Sequence, residues 1–563
     1  MMKGLFRTST FFIAKILKAP LWAAVLLSLI VLSLVVFSDD LVNQAIHADQ
    51  AFAKYGMTGN GVIVAILDRG IDWAHPDFVN PDGTTRIKAL LDMSGQQGCG
   101  SNGTGTPSPV EYTSQQINAS LQGGPAINTR DAVGHGTATA GLAAGNGRAF
   151  ANGKYAGIAP QADLIIVKLT SEGAPAHDSQ PAETAFQACI QEALNWLDAK
   201  VGSKPVVALI NSGTQWGPID GTSAVSRQID TVFGSNRPGR VYVAASGDEG
   251  SLANHAAGTY DASADTVVHL SKASTVTSYM QAWYSGALPA QITLTFDDGT
   301  TVGPVAPGSS LTQSGVTIFN YLPGHEFYPW KSNGGDRAVW IQILGHSGGG
   351  SFRIRGLQAG TGSFDVYGDV LGPNLTPIVS FQDHLVPGRL TDYASTLSAI
   401  VSGNSVIRTS WADIDGIPRS ITSEGAVGEL WLKSSAGPTR NGRPYGIDAV
   451  APGQNSFASS AQNSYWHSLR FNLVQDGGGW YVRAGGTSAS APVTVGVIAL
   501  MLQLKPDLTA EQIRNILRAT ADADSFTGVT PNLNWGYGKL NVLKTLDAVT
   551  AQTKKRRGQI LSN

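Results

Sequence analysis

The chain has few charged residues and almost no cysteine. Charged side chains make up 14% of its 563 residues, against about 25% in an average protein. The 39 Lys and Arg residues nearly balance the 41 Asp and Glu residues, whereas a nucleic-acid-binding protein usually carries a basic excess, so we expect no nucleic-acid partner. The two cysteines, Cys99 and Cys189, are too few for a disulfide-dense scaffold. Whether they pair stays open, because sequence spacing does not show how close their Cα atoms lie.

Sequence motifs for nucleotides and zinc are also missing. The chain has no Walker motif, no His-Glu-x-x-His segment and no Cys/His spacing typical of zinc. Residues 98–103 match Gly-x-Gly-x-x-Gly, but a polar run follows them where phosphate binding needs the start of a helix. We therefore predict no required cofactor and assign no residue to a metal.

Apolar residues and glycine, in contrast, are abundant. Hydrophobic residues make up 42% of the chain, which is enough for a large core. Glycine accounts for 66 of the 563 residues, well above the typical ~7%. These figures exclude a disordered chain, a collagen and a polytopic membrane protein.

The N-terminus carries a signal for export. Residues 21–37 contain no charge, and a basic lead over residues 1–19 precedes them. Positive charge before an apolar segment keeps that end in the cytoplasm, so we expect the rest of the chain to be exported. The segment 20–38 lies between a signal-peptide core and a spanning helix in length. It is therefore a transmembrane anchor, or a signal sequence cleaved after Ser38, which would make the protein secreted.

Residues 39–262 alternate short apolar strands with helical patterns. Strands are predicted at 61–67, 162–169, 206–210 and 241–245, and helices at 182–200 and 222–233. Strand–helix–strand units favour a mostly parallel sheet flanked by helices.

From residue 263 to about 400 the pattern changes to alternating β-strands with hairpin signals and no long helix. We predict an inserted all-β subdomain there, a sandwich or a jelly roll. The α/β pattern returns over 401–547, with a long apolar helix at 488–504 and a capping box that opens a helix at 509–521. Residues 548–563 form a basic tail.

Three segments together carry a nucleophile, a base and a carboxylate. Asp68 ends an apolar strand, His135 starts a small-residue helix, and Ser488 opens the apolar helix. Serine needs a histidine to take its proton, and the histidine needs a partner that holds its tautomer. Taken singly, Asp68 could be a strand-end cap, His135 a packed histidine and Ser488 an N-cap residue. The order Asp, His, Ser with the expected elements favours a catalytic triad.

The segments around these residues resemble the motifs of the subtilisin-like serine proteases, or subtilases. The resemblance rests on the segments 68–72 (DRGID), 75–78 (HPDF), 135–137 (HGT), 155–160 (YAGIAP) and 486–492 (GTSASAP), with 438–443 and 451–453 in addition. It covers about residues 42–262 and 400–547, and implies a catalytic domain in two parts, 39–262 and 401–547, interrupted by the β insertion. The resemblance implies that Asp68, His135 and Ser488 form the charge-relay triad.

The resemblance also implies a substrate strand and an oxyanion hole. Asn211, Ser212 and Gly213 match the family strand that pairs with substrate backbone, although a strand end turning into a loop would look the same. Asp248 stands where the family has the Asn that donates to the oxyanion, beside the backbone N–H of Ser488. An ionised Asp would repel the oxyanion and a protonated one could donate to it. Arg69 also departs from the family pattern, and could either keep Asp68 ionised or compete with His135 for it.

Calcium is left open by the same resemblance. Asp77 matches a position that contributes to a calcium site in some subtilases, but the other ligands cannot be placed, and His75 and Asp77 are expected to be structural. The predicted function is a serine endopeptidase acting on protein or peptide substrates. The alternative is an inactive relative that binds peptides without cutting them. An esterase is disfavoured because the serine segment lacks the second glycine of Gly-x-Ser-x-Gly.

Overall fold

The computed structural model describes residues 40–94, 109–150, 153–170, 190–213, 215–234, 237–325, 331–371, 376–440 and 442–561. The predicted N-terminal hydrophobic helix at 20–38, Cys99 and Cys189 lie outside these residues. The structure therefore does not test the anchor, its cleavage or the pairing of the two cysteines.

The first α/β part begins with two short helices and contains six strands. The helices are α1 Asp40–Ala45, α2 Ala48–Tyr55, α3 Ser114–Leu121, α4 His135–Ala144, α5 Ile190–Val201 and α6 Ala224–Phe233. The strands are β1 Ile63–Asp68, β2 Ile87–Asp92, β3 Val110–Thr113, β4 Asp163–Lys168, β5 Val206–Ile210 and β6 Arg240–Ala245. Every residue of β1 and β5 is buried, as expected for parallel strands covered on both faces. The predicted start of the helix at 182–200 lies outside the described residues, which resume at Ile190.

Thirteen strands follow without an α-helix in the described residues. They are β7 His255–Tyr260, β8 Thr266–Lys272, β9 Ser278–Tyr284, β10 Ala290–Phe296, β11 Thr301–Val305, β12 Ser309–Gln313, β13 Val316–Asn320, β14 Arg337–Ile343, β15 Gly348–Gly356, β16 Gly362–Gly368, β17 Val370–Leu371, β18 Thr376–Pro377 and β19 Val379–Phe381. In β10, buried residues alternate with less buried ones along the strand, because successive side chains point to opposite faces of a sheet.

The second α/β part completes the fold. Its strands are β20 Ile400–Val406, β21 Ser410–Ala412, β22 Pro418–Ser420, β23 Ala449–Gln454, β24 Ser456–Ser459 and β25 Tyr481–Ala484. Its helices are α7 Tyr465–Ser468, α8 Thr487–Leu504, α9 Ala510–Thr520 and α10 Val542–Leu561. The capping box of Thr509 and Gln512 is present at the start of α9, as the sequence predicts.

Both α/β parts contribute to one central sheet. Its eight strands lie in the order β23-β20-β6-β5-β1-β4-β2-β3, and all neighbours are parallel except β2 and β3. The predicted parallel sheet flanked by helices is therefore confirmed. Because β5, β1 and β6 are adjacent, the residues that follow them meet at one edge of the sheet, where open α/β sheets place their ligands.

The inserted strands form a β-sandwich. A five-stranded sheet (β11-β10-β15-β8-β19) and a six-stranded sheet (β12-β13-β14-β9-β16-β7) are antiparallel throughout. Residues from both sheets form one apolar core, which includes Ile292, Phe352, Ile341 and Val366. The sandwich strands run from His255 to Phe381, whereas the sequence analysis placed the subdomain at 263–400. The first strand was missed because its sequence HAAGTY lacks the alternation typical of a strand.

Helix α8 lies at the centre of the α/β part. It contacts β23, β20, β5 and β6 as well as helix α4, and almost all of its residues are buried. Of the helices in the described part of the chain, α8 alone is long and apolar enough to cross a membrane. However, 83% of it is buried inside the protein. Packing against the central sheet accounts for its apolar sequence.

Candidate active site

Asp68 is the last residue of β1 and its side chain is fully buried. Its Oδ1 accepts hydrogen bonds from the Nδ1 of His135 at 2.7 Å and from the main-chain N–H of Arg69 at 2.6 Å. Its Oδ2 accepts one from the Thr139 hydroxyl at 2.9 Å and lies 3.0 Å from the same ring nitrogen of His135. Asp68 therefore holds the His135 ring directly, as the sequence predicts.

His135 is the first residue of α4, and Asp131 sets the start of this helix. One oxygen of Asp131 accepts from the N–H of Gly134 at 2.7 Å, and the other from the N–H and hydroxyl of Thr137 at 2.8 Å. Gly134 has a φ of 106°, which favours glycine. A Cβ at Gly136 would overlap the carbonyl oxygen of Gly70. The close approach of this helix to the loop after β1 places the His135 ring against Asp68.

The His135 ring is held in an orientation suited to a general base. The side chain is 11% exposed, and the indole ring of Trp466 lies edge-on to it at 5.6 Å between centroids. Burial opposes the charged ring, but the charge and hydrogen bond of Asp68 outweigh it and raise the pKa of His135 above its ordinary value. With Nδ1 bound to Asp68, any proton exchange with a nucleophile would take place at Nε2.

Ser488 is the second residue of α8 and is half-buried. The Asn211 amide donates to the carbonyl oxygen of Ser488 at 2.9 Å and to the Thr139 hydroxyl at 2.7 Å. Because the Thr139 hydroxyl donates in turn to Asp68, one hydrogen-bonded chain links the three predicted segments. Thr139 was not singled out from the sequence, although it lies four residues after His135 and so on the same face of the helix.

The segment predicted to pair with substrate directly follows β5. Asn211 is buried and faces inward, toward Thr139 and Ser488, while Ser212 is half-buried and Gly213 is exposed. Asn211 therefore links Thr139 to Ser488 on the buried side of the site. Ser212 and Gly213 form the more exposed surface next to it. Their pairing with a substrate stays a prediction.

The Asp248 carboxylate lies against the first residue of α8, Thr487. Its Oδ1 accepts from the N–H of Thr487 at 2.8 Å and from the hydroxyl of Thr487 at 2.7 Å. A Cβ built on Gly486 would come within 2.7 Å of its Oδ2. Removal from water raises the pKa of Asp248 above its ordinary value, although hydrogen bonds from Thr487 and the charge of His135 oppose the rise. Burial outweighs these contacts, so the carboxyl keeps its proton to a higher pH than an ordinary aspartate does.

Thr391 lies close to both Gly213 and Gly247 and was not found from the sequence. Its methyl carbon would be 2.6 Å from a Cβ at Gly213 and 3.1 Å from one at Gly247. Its N–H donates to the carbonyl of Ser246 at 3.1 Å. Because it follows the β-sandwich in the chain, only the folded structure brings it next to Gly213 and Gly247.

His75 and Asp77 have structural contacts. The Asp77 carboxylate accepts from the N–H of Ala149 at 2.9 Å, the hydroxyl of Tyr481 at 2.9 Å and the hydroxyl of Ser459 at 2.7 Å. These three hydrogen bonds join separate segments of the chain, so the contacts of Asp77 are those of a structural residue, as expected. In the part of the chain that the structure describes, no group of three His, Cys, Asp or Glu side chains could hold a metal ion.

Comparison with known proteins points to one family. The sequence model of the Subtilase family matches residues 59–538. Serine protease AprX of Bacillus subtilis is 34% identical over 108 residues, which are 19% of this chain and 23% of that protein. A protein named calcium-dependent protease from Nostoc is 32% identical over 121 residues, which are 20% of this chain and 18% of that protein. The chain thus spans about a quarter or less of the length of these curated relatives.

One solved structure shows a similar fold. The CspB protease of Clostridium perfringens superposes with a TM-score of 0.68 at 22% sequence identity. The superposition covers 91% of this chain and 98% of that chain. At this identity the likeness shows the fold alone.

Proposed function

The chain belongs to the subtilase family, and from this membership and the site we propose that it is a serine endopeptidase acting on protein or peptide substrates. The single observation that carries the proposal is the hydrogen bond of 2.7 Å between Asp68 and the Nδ1 of His135. It holds the histidine as a general base on the same hydrogen-bonded chain that reaches Ser488.

The proposed reaction has two halves. The Ser488 oxygen attacks the scissile carbonyl carbon while His135 Nε2 takes the hydroxyl proton, and Asp68 stabilises the charged ring. His135 then gives this proton to the leaving amine, which leaves an acyl-enzyme on Ser488. Water, activated by the same histidine, hydrolyses the acyl-enzyme and restores the free serine.

Stabilisation of the oxyanion is assigned to two donors. The N–H of Ser488 lies in the first turn of α8, where free backbone donors and the helix dipole favour negative charge. The second donor is the protonated carboxyl of Asp248. An oxyanion donor contributes about 2.7–4 kcal/mol to transition-state stabilisation, so we expect activity to fall as Asp248 loses its proton.

Thr391 and the segment 211–213 suggest a preference for small substrate side chains. The side chain next to the scissile carbonyl must lie between the oxyanion loop and the segment that pairs with substrate. The Thr391 methyl group lies there, near both Gly213 and Gly247. We therefore assign Thr391 to the wall of this subsite.

The experiment that tests the activity is labelling with a fluorophosphonate probe at about pH 5.5 and pH 7.5. The chain should be labelled, and Ser488→Ala should abolish the label. Ser490→Ala is the matched control, because Ser490 lies on the same helix but is fully buried, with its hydroxyl bonded to the carbonyl of Thr487 at 3.1 Å. A folded protein that is not labelled at either pH would instead support the peptide-binding alternative.

We also propose an extracytoplasmic location, with residues 20–38 as a membrane anchor or a cleaved signal. The support is the uncharged segment that follows a basic lead. Sequencing the N-terminus of the mature protein would distinguish the two, since cleavage after Ser38 releases the chain from the membrane. A chain that stays in the cytoplasm would contradict both.

A further inference from the structure

Trp466 is a large aromatic side chain next to His135 that the proposed mechanism does not use. It lies in the short helix α7, and its indole ring is edge-on to the His135 ring at 5.6 Å between centroids. The side chain is only half-buried. Part of the indole surface is therefore accessible to a molecule that binds beside His135.

The main chain fixes Trp466 at this place. Its N–H donates to the carbonyl of Val133 at 2.9 Å, which joins α7 to the segment that leads into His135. Gly134 permits the close approach, because a Cβ there would lie 2.9 Å from the Oγ of Ser464 and 3.1 Å from the Cβ of Trp466. The indole ring therefore depends on backbone contacts, and not on its own side-chain packing alone, for its position beside His135.

The indole ring also packs against the start of helix α8. It contacts a small apolar cluster to which both helices of the site contribute. The members of this cluster are Ala138 and Leu142 of α4, Ala458 of β24, Ala484 of β25 and Ala489 of α8. Ala489 directly follows Ser488, the proposed nucleophile. Because four of the five members are alanines, Trp466 is the largest apolar side chain where the two helices begin.

The chemistry of the proposed reaction assigns this place to the leaving group. His135 gives its proton to the leaving amine, so the residue after the scissile bond must lie next to the His135 ring. The acyl part of the substrate is assigned to other groups, namely to the segment 211–213, Thr391 and Asp248. The leaving residue is therefore the part of the substrate that comes closest to Trp466.

We propose that Trp466 forms a wall of the subsite for the substrate residue that follows the scissile bond, and that it favours a large apolar side chain there. The inference rests on the proposed serine protease function and adds the specificity on the leaving-group side of the same site. A leucine or phenylalanine side chain can cover the accessible part of the indole and remove it from water, whereas glycine cannot. Trp466 is thus a specificity-determining residue that makes and breaks no bond.

Capture of the acyl-enzyme by an added amine measures this subsite directly. The amine nitrogen attacks the acyl carbon, His135 takes the amine proton and passes it to the Ser488 oxygen, and the bond between that oxygen and the acyl carbon breaks. This step is the reverse of acylation, so the amine occupies the place of the leaving group. Two amines that compete for one acyl-enzyme give a product ratio that does not depend on how fast the acyl-enzyme forms.

The test uses the full chain, a peptide ester with alanine before the ester bond, and leucinamide and glycinamide as competing amines. The wild-type chain should capture leucinamide in preference to glycinamide. Trp466→Ala should reduce this preference by about tenfold, and Trp466→Phe should keep most of it. Trp480→Ala is the matched control, because Trp480 is also half-buried and lies edge-on to a histidine, His75, at 5.3 Å between centroids. It should leave the preference unchanged.

Two results would overturn the proposal. A Trp466→Ala variant that hydrolyses the ester more slowly but keeps the wild-type ratio of the two amines would show that Trp466 only orients His135. An equal loss of preference in Trp480→Ala would show that the effect comes from general loosening of the fold.

A second measurement does not depend on turnover. In Ser488→Ala, the isotope-labelled indole N–H signal of Trp466, assigned by its loss in Trp466→Phe, should shift on titration with a peptide that begins with leucine. A peptide that begins with glycine should shift it less. A wild-type chain that forms no acyl-enzyme, together with this difference, would contradict the proposed function but support the subsite. Equal behaviour of the two peptides would contradict the subsite itself.

Discussion

The contact between Asp68 and His135 is expected to set the acid side of the pH dependence of the site. Asp68 raises the pKa of this histidine against the effect of burial. A raised pKa means that His135 becomes neutral, and able to act as a base, only at a higher pH than an ordinary histidine. Because the protonated state of Asp248 is lost as the pH rises, we expect a bell-shaped activity profile, limited by His135 on the acid side and by Asp248 on the alkaline side.

Replacing Asp68 by Asn should change both the rate and this profile. The variant loses the carboxylate that holds the correct His135 tautomer, and kcat should fall by about 10⁴-fold. Without the negative charge the pKa of His135 falls, so the acid limb should move to lower pH. Measured kcat/KM between about pH 4 and pH 8 checks both effects. A fall in rate with an unmoved acid limb would show that Asp68 does not control the ionisation of His135.

Thr391→Ser tests the proposed subsite wall. The change removes only the methyl group near Gly213 and Gly247 and keeps the hydroxyl, which accepts from the N–H of Ala394 at 3.3 Å. One methyl-sized change in a pocket alters the discrimination between substrates by about 10–200-fold. For substrates with a larger side chain before the cleaved bond, kcat/KM should therefore rise by a factor near the lower end of this range. Peptide libraries that vary this residue measure the change. An unaltered preference would place the subsite elsewhere.

At the scale of elements, the site is a junction between the ends of β1 and β5 and the starts of α4 and α8. The Thr139 hydroxyl stands at this junction, since it donates to Asp68 and accepts from Asn211. Both Thr139 and Asn211 are buried, so water cannot easily replace a lost partner. The Thr139 hydroxyl therefore links α4 to β1 and β5 directly, and to α8 through Asn211.

Thr139→Val should weaken this junction without changing the size of the side chain. Loss of the buried hydroxyl leaves polar partners without their hydrogen bonds, which costs about 1–3 kcal/mol of the free energy of unfolding. We also expect kcat to fall, because Asp68 loses a hydrogen bond that orients it. Thr139→Ser keeps the hydroxyl and is the matched control. Chemical denaturation and kinetics measure the two effects, and equal behaviour of the two variants would argue against the role of the hydroxyl.

At the scale of the whole molecule, the β-sandwich contacts the chain that follows the segment 211–213, which is predicted to pair with substrate. The buried Gln281 of β9 accepts from the N–H of Gly217 at 2.9 Å and donates to the carbonyls of Gln215 and Gly217. Trp340 of β14 lies edge-on to Trp216 at 4.9 Å between centroids. The sandwich therefore supports the loop that continues from Gly213.

Arg440 ties the sandwich to the second α/β part. Its guanidinium bonds to Asp365 at 2.8 Å and to Asp336 at 2.9 Å, and also donates to the carbonyl of Pro218. Burial opposes the ionisation of Asp365, but hydrogen bonding to His255 and the charge of Arg440 hold the pKa of Asp365 below its ordinary value. A lowered pKa means that this carboxylate stabilises the fold above the unfolded-state value of about 3.9, and that the contribution is lost as the pH falls through the lower folded-state value.

Arg440→Met should leave two acidic side chains without their cation, and should cost about 3–5 kcal/mol of the free energy of unfolding. The difference from wild type should be present at neutral pH and shrink below about pH 4. Arg353→Met is the control, because its pair with Asp265 is 3.9 Å long and partly exposed and should contribute less than about 1 kcal/mol. Denaturation curves at neutral pH and below about pH 4 measure how the loss of stability depends on pH. A loss that is the same at both pH values would show that packing, and not charge, links the two units.

Much of the fold was predictable because its signals are local. Apolar runs predicted β1, β4, β5 and β6 to within two residues of their observed bounds, since strands buried on both faces need continuous apolar sequence. The first strand of the sandwich and Thr391 were missed. Neither the sequence of β7 nor the residues around 391 carry a periodic signal, and their roles arise from contacts with residues far away in the chain.

The sequence by itself determined the family, the parallel sheet, the β insertion and the three residue types of the proposed triad, because these follow from short motifs and hydrophobic periodicity. Only the tertiary structure decided that Thr139 and Asn211 join the three segments, that Asp77 accepts hydrogen bonds from Ala149, Tyr481 and Ser459, and that the Glu249 carboxylate accepts the N–H of Asp248. The reason is physical. Burial, hydrogen-bond partners and the distances between like charges depend on which distant segments pack together, and no local pattern in the chain specifies them.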